Sequence, residues 1–117
     1  MNNLIISNKE LIATITINRP KQLNALNIST IKELGKAFNN LQNDKNTRVV
    51  VLTGAGEKSF VAGADIKEFS NYDKKEGTEL SRNGHLSLFN LIEDFPKPVI
   101  AAVNGYALGG GLSLIHI

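Results

Sequence analysis

Apolar and polar residues alternate over residues 11–17, with a period of two that is typical of a strand with one face in a core. The apolar positions share one side of this pattern: Leu11, Ala13, Ile15 and Ile17. Thr14 and Thr16 occupy the other side. The pattern predicts a β-strand, and residues 4–7 are expected to pair with it through a turn at residues 8–10.

A helical period follows, starting at about Asn27 or Thr30 and ending at Asn43. Apolar side chains recur on one face of this predicted helix: Ile31, Leu34, Phe38 and Leu41. The four residues from Thr30 to Glu33 have the form of a capping box, which is a helix start signal. The sequence therefore predicts a helix with one apolar face.

Two later runs are almost entirely apolar. Residues 48–52 predict a strand buried on both faces, and residues 99–103 predict a second buried strand after Pro98. A helix fits between them over residues 76–94 and ends before Pro96. Its apolar side is formed by Leu88, Leu91, Ile92 and Phe95. Because strands alternate with helices along the chain, the order indicates an α/β fold.

Two glycine-rich segments each follow a predicted strand. One is Gly-Tyr-Ala-Leu-Gly-Gly-Gly at residues 105–111, and the other is Phe-Val-Ala-Gly-Ala-Asp-Ile-Lys-Glu at residues 60–68. Glycine lets a backbone approach a ligand closely because it has no Cβ. A helix that starts after such a loop directs free N–H groups toward the same place. Two such loops can supply two backbone donors to one oxygen atom, as in an oxyanion hole.

The sequence Gly-Ala-Gly-Glu-Lys-Ser at residues 54–59 has features of two nucleotide-binding motifs and satisfies neither. A dinucleotide fingerprint needs a third glycine where Ser59 stands, and a P-loop needs a glycine where Glu57 stands. A structural turn that closes the preceding strand is the better interpretation.

Composition narrows the possible classes of protein. The chain has 117 residues, no cysteine, and a net charge of +2 from 13 basic and 11 acidic side chains. It is one domain or less, and the lack of cysteine suits a cytoplasmic location. The basic residues are scattered, which gives no support to nucleic-acid binding. The start of the chain lacks the pattern of a secretory signal, and no apolar run approaches the ~18 residues that span a membrane.

Four stretches together resemble the enoyl-CoA hydratase (crotonase) family, in order and at family-like spacing. They are residues 18–27 (Asn-Arg-Pro-Lys-Gln-Leu-Asn-Ala-Leu-Asn), 54–60, 62–66 and 98–111. The likeness is strongest to short-chain bacterial members that act on crotonyl-CoA and 3-hydroxybutyryl-CoA. The resemblance implies the crotonase fold, a spiral of ββα units, of which residues 1–117 carry the N-terminal part. Residues 112–117 depart from the family's continuation, so we expect an N-terminal fragment of a longer domain.

The resemblance also implies site residues. The backbone N–H groups of Ala64 and Gly110 correspond to the donors that hold the thioester oxygen. Residues implied to bind the coenzyme A and acyl groups are Lys21, Leu23, Ala62, Gly63, Ala64, Asp65, Ile66, Lys67 and Gly110. From the residues alone, Asp65 is more simply an acidic helix cap than a catalytic acid. Lys21, Lys58 and Lys67 are either surface lysines or contacts to coenzyme A phosphates.

In hydratases of this family, two glutamates hold and activate the water. Ser113 stands at the position of the first, and the second falls beyond residue 117. The resemblance implies a full-length enzyme that reversibly hydrates a short-chain 2-enoyl-CoA, assembles as a homotrimer or a dimer of trimers, and needs no metal or separate cofactor. The chain itself is expected to be inactive. Another crotonase-family reaction, such as isomerisation or C–C bond chemistry, and a non-catalytic acyl-CoA-binding protein are the alternatives.

Overall fold

The computed structural model describes residues 3–61, 88 and 90–107. The elements within these residues are β1 (Leu4–Lys9), β2 (Ile12–Ile17), α1 (Ile28–Gln42), β3 (Val49–Gly54), β4 (Ser59–Val61), β5 (Val99–Ala102) and β6 (Tyr106–Ala107). A 3₁₀ turn, Pro20–Gln22, lies between β2 and α1. This order of strands and helix confirms the predicted α/β fold class.

The main sheet has four strands in the order β1-β2-β3-β5. β1 is antiparallel to β2, whereas the β2–β3 and β3–β5 pairs are parallel. Parallel neighbours require a crossover connection, and α1 supplies the one between β2 and β3. β4 and β6 pair with each other in parallel as a separate two-stranded sheet. The carboxyl ends of β2 and β3 therefore lie at the same edge of the main sheet, since Ile17 is opposite Gly54.

One face of the main sheet forms the core. Its buried side chains in β2 and β3 are Ala13, Ile15, Ile17, Val50 and Leu52, and they belong to one apolar cluster with the buried face of α1. The predicted alternation in β2 is thus confirmed from Ala13 onward. The prediction for Leu11 is wrong: with Glu10 it has a positive φ in the turn after β1, and its side chain is 40% exposed.

The other face of the sheet is only partly covered. In β3 the buried side chains alternate with half-buried ones, and Ile12 and Ile100 are 42% and 54% exposed. The predictions that β3 is buried on both faces and that β5 is a buried strand are therefore wrong in this structure. The reason is that the helical residues in the described part of the chain pack on the opposite face.

The helix α1 begins where an asparagine caps it. Asn27 accepts a hydrogen bond from the backbone N–H of Thr30 at 2.8 Å, which satisfies one free donor of the first turn. The predicted capping box is wrong, because Asn27 already provides the cap and Glu33 instead accepts from the backbone N–H of Asn3. The predicted apolar face is confirmed, with these side chains buried: Ile31, Leu34, Phe38 and Leu41.

A lysine and an aspartate shape the end of α1. Lys97 Nζ donates to the carbonyl oxygens of Leu41 and Asp44 at 2.7 and 2.8 Å, so a positive charge lies at the negative end of the helix dipole. The backbone N–H of Asn46, and after it the Thr47 hydroxyl and the charge of Lys97, hold the pKa of Asp44 below its usual value.

Of the second predicted helix, Leu88 and residues 90–94 fall among the described residues; Leu88 and residues 90–93 are helical, and Asp94 lies in the turn that follows. Leu88 and Ile92 are buried in the core cluster, and Leu91 and Phe95 pack against it, as the pattern predicted. The rest of that prediction lies outside the described residues. Among the helices that are described, none is long and apolar enough to cross a membrane.

Candidate functional site

Beyond the carboxyl edge of β2, the chain makes a tight turn with unusual backbone geometry. After the 3₁₀ turn, Leu23 and Asn24 both take left-handed conformations, with φ of 53° and 57°. Asparagine adopts this region more readily than leucine because its short side chain hydrogen-bonds locally. Here Asn24 Oδ1 accepts from the backbone N–H of Arg19 at 2.9 Å, and the Asn24 N–H donates to the Arg19 carbonyl at 2.8 Å. These bonds close the turn.

The side chain of Asn24 also joins this turn to the connection between β3 and β4. It is fully buried, and its Nδ2 donates to the carbonyl oxygens of Ala55 at 3.0 Å and Ser59 at 2.8 Å. These two carbonyls belong to the two ends of residues 54–59, which we call the 54–59 connection. One amide group therefore sets the distance between the end of β3 and the start of β4.

A second asparagine holds the 54–59 connection from the side of β6. Asn104 Nδ2 donates to the carbonyl oxygens of Gly54 at 2.8 Å and Gly56 at 2.7 Å. Its Oδ1 accepts from the backbone N–H of Gly54 at 3.3 Å and from the Thr53 hydroxyl at 3.4 Å. Asn104 lies two residues before β6, so these bonds connect the start of β6 to the end of β3.

Two glycines allow this close packing of backbones. A Cβ at Gly54 would lie 2.6 Å from Asn24 Nδ2 and from the Ser59 carbonyl oxygen, and it would also meet Phe60 O. A Cβ at Gly105 would meet the Lys58 carbonyl and lie 2.7 Å from the Ser59 nitrogen. Both positions therefore require glycine for lack of space. The structural turn predicted for residues 54–59 is confirmed.

The pairing of β4 with β6 brings together the two segments that lead into the glycine-rich motifs. Ser59 is opposite Tyr106 and Val61 is opposite Ala107. β4 thus uses three residues where β6 uses two, and the extra residue is Phe60, whose side chain is fully buried. Such bulges adjust where the residues that follow them are aimed.

A cleft of about 510 Å³ opens beside the 54–59 connection. Its lining residues are Pro20, Lys21, Asn24, Ala55, Gly56, Glu57, Lys58 and Ser59. Two lysines and one glutamate give its side chains a net positive charge at neutral pH. The cleft suits a ligand with anionic groups, since exposed lysines act as point charges for phosphate.

Only two of the predicted site residues lie among the described residues. Lys21 lines the cleft, whereas Leu23 is 40% exposed and is not among the lining residues. The others lie outside the described residues: Ala62, Gly63, Ala64, Asp65, Ile66, Lys67 and Gly110. Within the residues that are described, no three His, Asp or Glu side chains are placed to hold a metal ion.

Sequence reasoning missed Asn24 and Asn104. Both lie in stretches that carry the family resemblance, but neither was given a role. The available signals were an asparagine directly after a turn that begins with Pro20, and the pair Asn104 and Gly105 directly after an apolar run. These signals indicate turns, but they do not reveal hydrogen bonds to carbonyls 31 to 50 residues away.

The fold and this site define an α/β protein in which two glycine-rich segments leave neighbouring parallel strands. Residues 7–117 match the family model described as enoyl-CoA hydratase/isomerase, and the chain belongs to that family. It is 49% identical over 114 residues to the short-chain-enoyl-CoA hydratase of Clostridium acetobutylicum, covering 97% of this chain and 43% of that protein.

Two further relatives agree. A crotonyl-CoA hydratase of Syntrophomonas wolfei is 46% identical over 112 residues, which is 96% of this chain and 43% of that protein. The crystal structure of an enoyl-CoA hydratase from Bacillus anthracis superposes with a TM-score of 0.93 at 37% identity, covering 97% of this chain and 44% of that one. The predicted fold, a crotonase-like N-terminal part, is confirmed. The chain spans less than half the length of the relatives that it matches.

Proposed function

We propose that the chain supplies the coenzyme A contacts and the oxyanion donors of an enzyme that reversibly hydrates a short-chain 2-enoyl-CoA, such as crotonyl-CoA, to the 3-hydroxyacyl-CoA. The relatives named as short-chain-enoyl-CoA and crotonyl-CoA hydratases support this substrate class. The observation that carries the proposal is the pairing of β4 with β6, because it sets where the two glycine-rich segments begin.

Counting along the sequence from the last paired residues gives equal offsets. Ala64 comes three residues after Val61, and Gly110 comes three residues after Ala107. Without the bulge at Phe60, the same count would match Ala64 with residue 111. The equal offsets from the last paired residues support Ala64 and Gly110 as the two donors.

The chemistry explains why two donors matter. When water adds to the β-carbon of an enoyl thioester, the carbonyl oxygen takes up negative charge. Two fixed N–H groups stabilise that charge more than they stabilise the ground state, and this difference lowers the barrier. Because the donors are backbone groups, their side chains need only be small, as alanine and glycine are.

The cleft beside the 54–59 connection supports binding of coenzyme A. Lys21 and Lys58 would meet its phosphates, and residues 62–67 would continue along the pantetheine and acyl groups. Leu23, which is outside the cleft lining, would contribute an exposed apolar contact. Coenzyme A is part of the substrate, so the proposal requires no separate cofactor.

In the proposed enzyme, residues 1–117 do not supply the general acid–base groups. Ser113 is a neutral hydroxyl and cannot take a proton from water near neutral pH without a base of its own. We therefore expect the chain alone to leave crotonyl-CoA unchanged. An alternative function, acyl-CoA binding without turnover, is favoured by the same serine.

The test uses an extended chain, in which residues 1–111 are followed by the part of the Clostridium acetobutylicum relative that comes after the position matching Gly111. We expect it to hydrate crotonyl-CoA, measured as loss of the enoyl thioester absorbance. Gly110→Pro removes one donor and should lower kcat on the order of 10²-fold. Gly110→Ala keeps the N–H group and should retain most of the activity.

Circular dichroism must show that each variant is folded, since proline also perturbs the backbone. Near-normal turnover by folded Gly110→Pro would contradict the role of Gly110. An extended chain in which position 113 is kept as serine, and which binds butyryl-CoA without hydrating crotonyl-CoA, would instead support the binding function.

A further inference from the structure

The 54–59 connection is held by two asparagine side chains, Asn24 and Asn104, that the proposed reaction does not use directly. Their partners are almost all backbone atoms, so they act on the path of the chain and not on a neighbouring side chain. The connection joins β3 to β4, and β4 leads into one of the two glycine-rich segments. Anything that moves the connection therefore moves the start of that segment.

Asn24 fixes β4 relative to the main sheet. Its Nδ2 spans the carbonyls of Ala55 and Ser59, and Ser59 is the first residue of β4. The amide is fully buried, and its bond to Ser59 is buried with it, whereas its bond to Ala55 is partly buried. Losing the donor would remove both bonds, and the buried carbonyl of Ser59 would lose this partner unless the connection shifts toward other donors.

Asn104 fixes β6 relative to the same connection. Its side chain bonds both the N–H and the carbonyl of Gly54, and it also bonds the carbonyl of Gly56. The next residue, Gly105, lies so close to Lys58 and Ser59 that no side chain fits. β4 and the residues that lead into β6 are thus both held to the 54–59 connection, β4 through Asn24 and the start of β6 through Asn104.

We propose that Asn24 and Asn104 are positioning residues that set the register of β4 against β6, and thereby the spacing of the two oxyanion donors. This inference rests on the proposed function. Catalysis by preorganised donors is sensitive to displacements of about 1 Å. Side-chain hydrogen bonds that hold both strands to one short connection restrain displacement of this kind, because the donors are peptide groups without a side chain that can adjust.

The experiment compares Asn24→Asp and Asn104→Asp with Asn8→Asp, all in the extended chain. Asp keeps the shape of Asn but cannot donate. Asn8 is a matched control because its Nδ2 also donates two hydrogen bonds, to Asn46 O at 3.0 Å and Thr47 Oγ1 at 2.9 Å. It lies at the opposite end of the sheet, opposite Ala13.

We expect kcat for crotonyl-CoA hydration to fall about 10- to 100-fold in both site variants, with KM within about twofold, because ground-state binding changes less than donor alignment. Asn8→Asp should keep kcat within about twofold. The double variant should lose less than the product of the two single losses, because both side chains hold the same connection.

A second readout separates positioning from stability alone. Infrared difference spectra of bound butyryl-CoA report how far the thioester carbonyl stretch shifts on binding. The shift should shrink in Asn24→Asp and Asn104→Asp and stay unchanged in Asn8→Asp. Thermal unfolding of each variant shows which are folded at the assay temperature; Asn104 is only half-buried, so its variant decides the matter if Asn24→Asp does not fold.

An unchanged kcat and carbonyl shift in folded Asn104→Asp would overturn the proposal, as would equal losses in Asn8→Asp. If the unmodified extended chain shows no hydration, the proposed function is what fails. In that case the proposal on donor spacing fails as well. If the extended chain is active and folded Asn24→Asp and Asn104→Asp keep its kcat and carbonyl shift, only the proposal on donor spacing is refuted.

Discussion

The helix side of the sheet and the 54–59 connection are built on different principles. On the helix side, α1 buries Leu34 and Phe38 completely, and the Phe38 ring meets Phe95 edge to face with centroids 5.4 Å apart. Its contacts are apolar and have little directionality. In the 54–59 connection, contacts are hydrogen bonds from Asn24 and Asn104 to particular carbonyl oxygens, with no spare space at Gly54.

The helix side therefore contributes mainly to stability, and the 54–59 connection mainly to geometry. Apolar burial contributes free energy roughly in proportion to area and tolerates small shifts. Hydrogen bonds to fixed carbonyls contribute less free energy on balance, but they specify positions within a few tenths of an ångström. We therefore expect changes on the helix side to alter unfolding without altering kcat, and changes in the connection to alter kcat more than unfolding.

The largest effect on stability is expected for Phe38→Ala in the extended chain. Removing this fully buried ring leaves a cavity and should lower the free energy of unfolding by about 3–5 kcal/mol. Urea unfolding measures the loss, with the exposed neighbour Asn39→Ala as control, expected within about 0.5 kcal/mol of the parent. The kcat of Phe38→Ala is measured under conditions in which the variant is still folded. If it falls as far as the kcat of Asn24→Asp, the helix side does not control stability alone.

The sequence predicted the helix side well and the connection poorly. The apolar period from Ile31 to Leu41 was sufficient to place α1 and its buried face, because packing there depends only on which residues are apolar. The predicted start was about Asn27 or Thr30, with a capping box over Thr30 to Glu33, and the structure has Asn27 as the cap. Both patterns fit the sequence, and the geometry of the entering chain decides between them.

The roles of Asn24 and Asn104 were not predictable from the sequence. Their partners are backbone carbonyls distant in sequence, and a carbonyl has no residue identity that a pattern can reveal. The family resemblance covers both asparagines without giving them a function. The half-covered outer face of β3 was also unpredicted, since a run of valines does not show whether one layer or two will pack on it.

The next largest effect on stability is expected at Gly54, and Gly35 provides the comparison. Gly54→Ala places a Cβ against backbone atoms that cannot rotate away, and it should lower the free energy of unfolding by about 1–3 kcal/mol. It should also lower kcat, because relief requires the connection to move. Gly35, inside α1, has nothing within 4 Å of the added Cβ, so Gly35→Ala should stabilise by about 0.5–1 kcal/mol.

These two variants sharpen the comparison when both are measured by urea unfolding and by crotonyl-CoA hydration. Equal effects of the two alanines on stability would mean that the 54–59 connection accommodates a side chain. A normal kcat in a destabilised Gly54→Ala protein would mean that the position of the connection does not control the donors.

The smallest effect concerns pH and the end of α1. Asp44 has a lowered pKa, chiefly through the hydrogen bond from the Asn46 N–H and also through Thr47 and Lys97. A folded-state pKa below the unfolded value of ~3.9 means that the ionised group stabilises the fold above that value, and that this stability is lost as pH falls through the folded-state pKa.

Asp44→Asn should therefore lower Tm at pH 6, and the difference should shrink as the pH is lowered below about 4. Thr47→Val, which removes the hydroxyl that donates to Asp44 Oδ2, should show a smaller change with the same sign. Because this carboxylate lies near the amino ends of the strands, away from the 54–59 connection, kcat at pH 7 should stay at the parent value in both variants; a Tm difference between Asp44→Asn and the parent that grows as pH falls would contradict the assignment.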